Sequence, residues 1–142
     1  MKRIRIVDLD STIADDRWRM WLIDPHMEDG ADKYHYYHLH CHDDPVINRW
    51  IVDECLHDVV FLTARPERMR NETKAWLDKH ELSHLALFMR SDDDERHSAV
   101  MKRDVVQLLK KQFEIEKAFD DRWDIVQMYN ECEIEGVLVK WE

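Results

Sequence analysis

The chain has 142 residues, 31 acidic against 21 basic, and a formal net charge of −10. That length suits a single domain, 1–142, with a sizeable core, and the acidic balance argues against a broad basic face for clamping duplex nucleic acid. With only Gly30 and Gly136 as glycines, neither a Walker A NTP-binding loop nor a GxGxxG fingerprint is present, because each needs glycines at close spacing. Cys41, Cys55 and Cys132 are odd in number and far apart, and no signal-peptide or membrane-spanning pattern is visible. A soluble cytoplasmic protein with reduced thiols and no membrane partner is expected.

Ile4 to Val7 is a short apolar run that reads as a buried strand, and it stops at Asp8 and Asp10. Residues i and i+2 of a strand share a face, so both carboxylates converge where the strand ends. Residues 16–44 are irregular, with Pro25, Gly30 and a Tyr- and His-rich run from Tyr34 to His42. Pro45 to His57 reads as a helix with Ile47, Trp50 and Ile51 on one side. Val59 to Thr63 is a second strand, and Pro66 suits the first turn of the helix after it. Met69, Thr73, Trp76, Leu77 and His80 give that helix its stripe. Leu85 to Met89 is a third strand closing at Arg90, followed by an acidic loop, 91–95. Met101, Val105, Leu108 and Leu109 mark a helix that carries Lys102 early. Glu116 to Phe119 is a fourth strand ending in Asp120-Asp121, Trp123, Val126 and Met128 suggest another helix, and Gly136 to Trp141 is a last strand. Strands alternating with helices predict an α/β fold, three-layered and Rossmann-like, with a mainly parallel sheet.

Four strand ends therefore carry chemically capable residues, at the sheet edge where open α/β folds place their sites. A phosphate ester and Mg²⁺ can share such a site, since the cation neutralises both the acids and the phosphate. Asp8 is the natural nucleophile, giving an aspartyl-phosphate, and Asp10 can protonate the leaving oxygen and then deprotonate water. Thr63 offers a hydroxyl to a phosphate oxygen, and Lys102 a positive charge to the phosphate and to Asp8. Asp120 and Asp121 complete a metal shell with Asp8 and Asp10.

These residues carry a resemblance. Ile4 to Ala14, with Asp8-Leu9-Asp10-Ser11-Thr12, resembles the first motif of the haloacid dehalogenase (HAD) phosphohydrolases; Phe61-Leu62-Thr63, Lys102 and Asp120-Asp121 resemble the second, third and fourth. Ser11 stands where the family usually has glycine. Arg90, Asp94, Arg96 and Lys102, followed by Asp120-Asp121-Arg122, are similar to the phosphatase domain of phage-type polynucleotide kinase/3'-phosphatase. Ser98 stands where that pattern has an Asp four residues before the lysine. The resemblance implies a HAD core with a small helical flap at about 18–44. It also implies substrate contacts from Ser11, Thr12, Arg19, Arg65 and Arg90, with Arg17 competing for the role of Arg19. The expected activity is removal of a 3'-phosphate from a polynucleotide end, in a phage-encoded protein acting in a host cytoplasm. A nucleoside monophosphatase is the alternative, and a non-catalytic phosphate-binding module a further one.

The run from Tyr34 to His42 admits two readings. His35, His38, His40, Cys41 and His42 could ligate zinc, but no second ligand pair lies elsewhere. A helical flap with aromatic side chains that stack on a base, Tyr36 or Tyr37 among them, is the preferred reading. The acidic loop 91–95 lacks EF-hand spacing and reads as solvated, with Asp94 orienting Arg96.

Overall fold

The computed structural model describes residues 1–28 and 31–141; Gly30 lies outside the described residues. Five strands form one wholly parallel sheet: β1 (Arg3–Val7), β2 (Asp58–Pro66), β3 (Ala86–Arg90), β4 (Glu114–Asp120) and β5 (Gly136–Leu138), in the order β3-β2-β1-β4-β5. β1 is central, so the acids that follow it lie mid-sheet.

Side-chain alternation along the strands builds two cores, one on each face. Val59 and Phe61 of β2 and Val7 of β1 pack with Ile51, Trp76 and Leu77 of α2 (Trp50–Asp53) and α3 (Arg70–Lys79). Ile4, Ile6, Val60 and Leu62 point the other way, onto Val106, Leu109, Ile125 and Tyr129 of α4 (Ser98–Lys110) and α5 (Trp123–Glu131). Between β1 and β2 lie short helical pieces: 3₁₀ turns at Arg17–Leu22, Ala31–Tyr34 and Cys41–Asp43, and α1 (His35–Leu39). No helix among the described residues is long and apolar enough to cross a membrane.

Three elements differ from expectation. The helix expected from Pro45 shrinks to α2, because Val46 bridges Ala14, Ile47 N–H donates to the Ile13 carbonyl, and Asn48 adopts a left-handed φ of 49°. Pro66 belongs to β2 rather than to a helix, since it pairs with Arg90 of β3; a 3₁₀ turn at Glu67–Met69 then leads into α3. The last strand ends at Leu138.

Gly136 opens β5 tight against α5: a Cβ there would meet the Val126 carbonyl oxygen at 2.7 Å and Val126 Cγ1 at 3.0 Å. Backbone cannot yield as a flexible side chain can, so Gly136→Ala should destabilise the protein by about 1–3 kcal/mol. Denaturant unfolding checks this, and a midpoint equal to that of the unaltered protein would contradict it.

Candidate active site

The carboxyl ends of β1, β2, β3 and β4 open into a cleft of about 440 Å³, with Asp8, Thr63, Arg90, Lys102 and Asp120 in its lining. Its floor is an ionic bridge. Lys102, 3% exposed and in the early part of α4, donates from Nζ to Asp8 Oδ1 at 2.9 Å and to Asp120 Oδ2 at 2.8 Å. Thr12 Oγ1 donates to the other Asp8 oxygen at 3.1 Å. The Arg122 amide donates to Asp120 Oδ1 at 3.1 Å and fixes that carboxylate from the turn after β4.

Asp121 joins this floor. One carboxylate oxygen from each of Asp8, Asp120 and Asp121 lies within 4.8 Å of the others. Burial raises the Asp121 and Asp8 pKa values, and the neighbouring carboxylates raise them further; Lys102 opposes the rise. Three acids against one ammonium leave a deficit of positive charge in a poorly solvated place. An all-oxygen donor set of this kind fits a hard divalent cation such as Mg²⁺.

Asp10 is placed differently from expectation. Its carboxylate accepts from Arg65 Nη2 at 2.7 Å and Arg19 Nη2 at 2.6 Å, and it lies outside the acidic cluster. Burial pushes the Asp10 carboxyl up, but the Arg65 and Arg19 guanidiniums outweigh it and hold it well below the usual carboxylate range. Its side chain is thus an ionised proton acceptor, not a fourth metal-ligating carboxylate.

Arg19 and Arg65 are 0% exposed, and their guanidiniums face inward. Arg19 also holds Asp44 through Nε at 2.8 Å and Nη2 at 2.6 Å, and donates to the Tyr37 carbonyl at 2.9 Å. Arg65 Nη1 donates to Thr73 Oγ1 at 3.2 Å. Both arginines position Asp10 instead of gripping substrate. Arg17, the competitor, is exposed and pairs with Asp15 at 2.7 Å. Ser11 and Thr12 are likewise committed internally: Ser11 Oγ donates to Asp16 at 2.6 Å, Thr12 to Asp8, and both backbone amides bond within the turn. Neither has a hydroxyl proton left for substrate.

Thr63 accepts the Arg65 amide at 3.1 Å and is part of the cleft lining. Arg90 reaches the cleft from the end of β3, and it is the one lining arginine without a carboxylate partner among the described residues. It donates to the carbonyls of Ala64, Asp94 and Arg96 and, at 2.9 Å, to Ser98 Oγ. The Asp-to-Ser departure at Ser98 therefore falls on Arg90; Lys102 is positioned by Asp8 and Asp120.

Sequence reasoning missed Asp44, a buried acid that clamps Arg19 and accepts Trp18 Nε1 at 2.8 Å. Nothing in the Asp43-Asp44-Pro45 run distinguishes it from a solvated turn. It also missed Arg68, which lines the cleft from the turn after β2. Tyr37 does not stack on a base: it is buried, its hydroxyl donates to Asp16, and Arg19 lies 4.1 Å from its ring centroid. Tyr36 is exposed and outside the cleft lining, whereas Tyr34 is part of it. Among the described residues no histidine or cysteine joins a candidate metal cluster, so the zinc reading of the run finds no ligand set.

His38 lines the cleft with its Nδ1 buried and unpartnered. Burial lowers its pKa from 6.5 to about 3; Asp10 pulls it up, while Arg65, Arg19 and Arg68 add to the lowering. The folded state keeps the ring neutral where the unfolded chain protonates it, so this contribution to stability is present above pH 6.5 and is lost as pH falls toward 3. Thermal melts from pH 7 to 4 should show a shallower fall for His38→Phe than for the unaltered protein. Parallel curves would contradict the neutral, buried imidazole.

A family model described as the polynucleotide kinase PNKP phosphatase domain matches residues 2–141. No match is found among curated proteins. A solved chain of the Pnkp1/Rnl/Hen1 RNA repair complex superposes with a TM-score of 0.74 at 20% identity, covering 99% of this chain and 43% of the other. A second Pnkp1/Rnl/Hen1 structure gives the same score and identity, with 47% of that chain covered. The protein thus spans less than half the length of the solved chains it matches. With the family model matching nearly end to end, the chain belongs to the polynucleotide kinase phosphatase-domain family and is a phosphatase of the HAD type.

Proposed function

We propose that the chain removes the 3'-phosphate from a polynucleotide end by way of an aspartyl-phosphate on Asp8, with Mg²⁺ as its cation. The observation that carries this reading is the Lys102 bridge, which fixes one Asp8 oxygen while Thr12 fixes the other, at the floor of an open cleft. A carboxylate so held is aimed as a nucleophile. Membership of the family and the RNA repair complex to which the solved chains belong support the choice of substrate.

Asp8, Asp120 and Asp121 would hold the cation, which neutralises the charge of the phosphate and its acceptor. In the first half, an Asp8 oxygen bonds to phosphorus as the ester P–O bond breaks, and Thr63 and Lys102 stabilise the phosphoryl oxygens. The departing oxygen takes its proton through Asp10, and the monoanionic form of the ester brings that proton into the cleft. In the second half, water attacks phosphorus, the P–O bond to Asp8 breaks, and the ionised Asp10 accepts the water's proton. The two arginines keep Asp10 in the acceptor state that this step requires.

A mononucleotide would also fit a cleft of about 440 Å³, and the net charge of −10 disfavours long polyanions away from the arginine-lined mouth. Rates on a 3'-phosphorylated oligonucleotide, its 5'-phosphorylated isomer and nucleoside monophosphates separate these substrates; preference for the last would overturn the polynucleotide reading. Asp8→Asn should cut turnover at least about 10⁴-fold, and Asp10→Asn about 10²- to 10⁴-fold. Chelation of divalent cations should silence the unaltered protein until Mg²⁺ is restored; activity that survives chelation removes the cation from the account.

A further inference from the structure

The cleft has two unlike walls. One is the sheet edge with its carboxylates and arginines. The other comes from the segment before β2, where Met20, Ile23, Tyr34 and His38 face the opening. Tyr34 and His38 are four residues apart, with ring centroids 6.2 Å apart and planes tilted by 40°, so their rings form one surface. The phosphoryl group belongs at Asp8, Thr63 and Lys102, while Asp10 serves the departing oxygen. The wall beyond Asp10 therefore meets the leaving alcohol, not the phosphate.

Among the described residues of that wall, His38 alone has a buried polar side-chain atom with no hydrogen-bond partner. Its Nδ1 is buried with nothing to bond, and an orphaned ring N–H is harder to tolerate there than an orphaned lone pair. The proton therefore sits on Nε2, the open end of the ring, where no group of the described residues bonds it. Burial disfavours a positive charge on the imidazole, and Arg65, Arg19 and Arg68 add to this against the pull of Asp10, so the cleft is offered a neutral donor. Such a donor suits a hydroxyl oxygen better than a phosphate, which the cationic groups opposite already serve.

Resting on the polynucleotide 3'-phosphatase reading, we propose that His38 donates its Nε2–H to the 2'-hydroxyl of the terminal sugar and so selects a ribose end over a deoxyribose end. The 2'-hydroxyl is vicinal to the departing 3'-oxygen. Any substrate that presents that oxygen to Asp10 carries the hydroxyl beside it. Met20, Ile23 and Tyr34 then supply apolar surface to the attached base without reading its identity.

The test measures kcat/KM for two 3'-phosphorylated oligonucleotides that differ only in the 2'-hydroxyl of the terminal sugar, and for adenosine 3'-monophosphate against its 2'-deoxy analogue. The ribose member of each pair should be preferred roughly three- to tenfold, the worth of one neutral hydrogen bond. His38→Gln, whose amide N–H reaches the Nε2 position, should keep the ratio, and His38→Phe should bring it near one. A ratio of one in the unaltered protein overturns the proposal, as does a loss in His38→Phe that is equal on both members and leaves the ratio intact. Cleavage of the mononucleotides alone sinks the polynucleotide reading, and the mononucleotide ratio then decides His38. Cleavage of no 3'-phosphate at all sinks both.

Discussion

One ammonium group organises this site. Lys102 reaches from α4 to the ends of two neighbouring strands and bonds a carboxylate on each, at 2.9 and 2.8 Å, with 3% of its surface exposed. A buried bridge of this kind gains little over apolar packing, but removing one partner typically costs about 3–5 kcal/mol because an unpaired charge is left behind. Its value is geometric. It holds Asp8 and Asp120, more than a hundred residues apart in sequence, close enough with Asp121 to share a cation, and leaves the cluster short of positive charge.

A second network sets the proton chemistry. Arg19 and Arg65 both hold Asp10; Asp44 braces Arg19, and Tyr37 lies under the Arg19 guanidinium while its hydroxyl bonds Asp16. Asp16 in turn accepts from Ser11, the residue between Asp10 and Thr12 that sits at a left-handed φ of 66°. For a non-glycine residue that conformation costs about 1–2 kcal/mol. The short Ser11–Asp16 hydrogen bond offsets part of that cost. The irregular segment is therefore tied to the first turn of the site by ionic and hydrogen-bonded contacts, with Tyr37 bracing it from the edge of the cleft that Tyr34 also lines.

The sheet was legible in the sequence because fully buried parallel strands are near-continuous apolar runs, and Ile4–Val7, interrupted only by Arg5, and Val59–Leu62 are bounded by polar residues. So was the grouping of Asp8, Thr63 and Asp120, since each lies at or near a strand end, while Lys102, on α4, was placed by its spacing after Arg90. The helix starts expected at Pro45 and Pro66 were undone by pairing between distant backbone segments, which local periodicity does not register. Charged side chains were least readable of all. Arg19 and Arg65 look like substrate clamps by position, yet full burial beside Asp10 and Asp44 makes them internal braces, and only three-dimensional pairing distinguishes the two. The same holds for Arg90, whose lack of a carboxylate follows from Ser98 lying across the loop.

Everything in the chemical account depends on one ion lying among acids drawn from β1 and the end of β4. A crystal structure of the protein soaked in Mn²⁺, with the anomalous signal mapped, reads that directly. A single peak in contact with both Asp8 and Asp120 is the expected result. A peak elsewhere in the cleft, or none in crystals whose enzyme turns over with that ion, would contradict it.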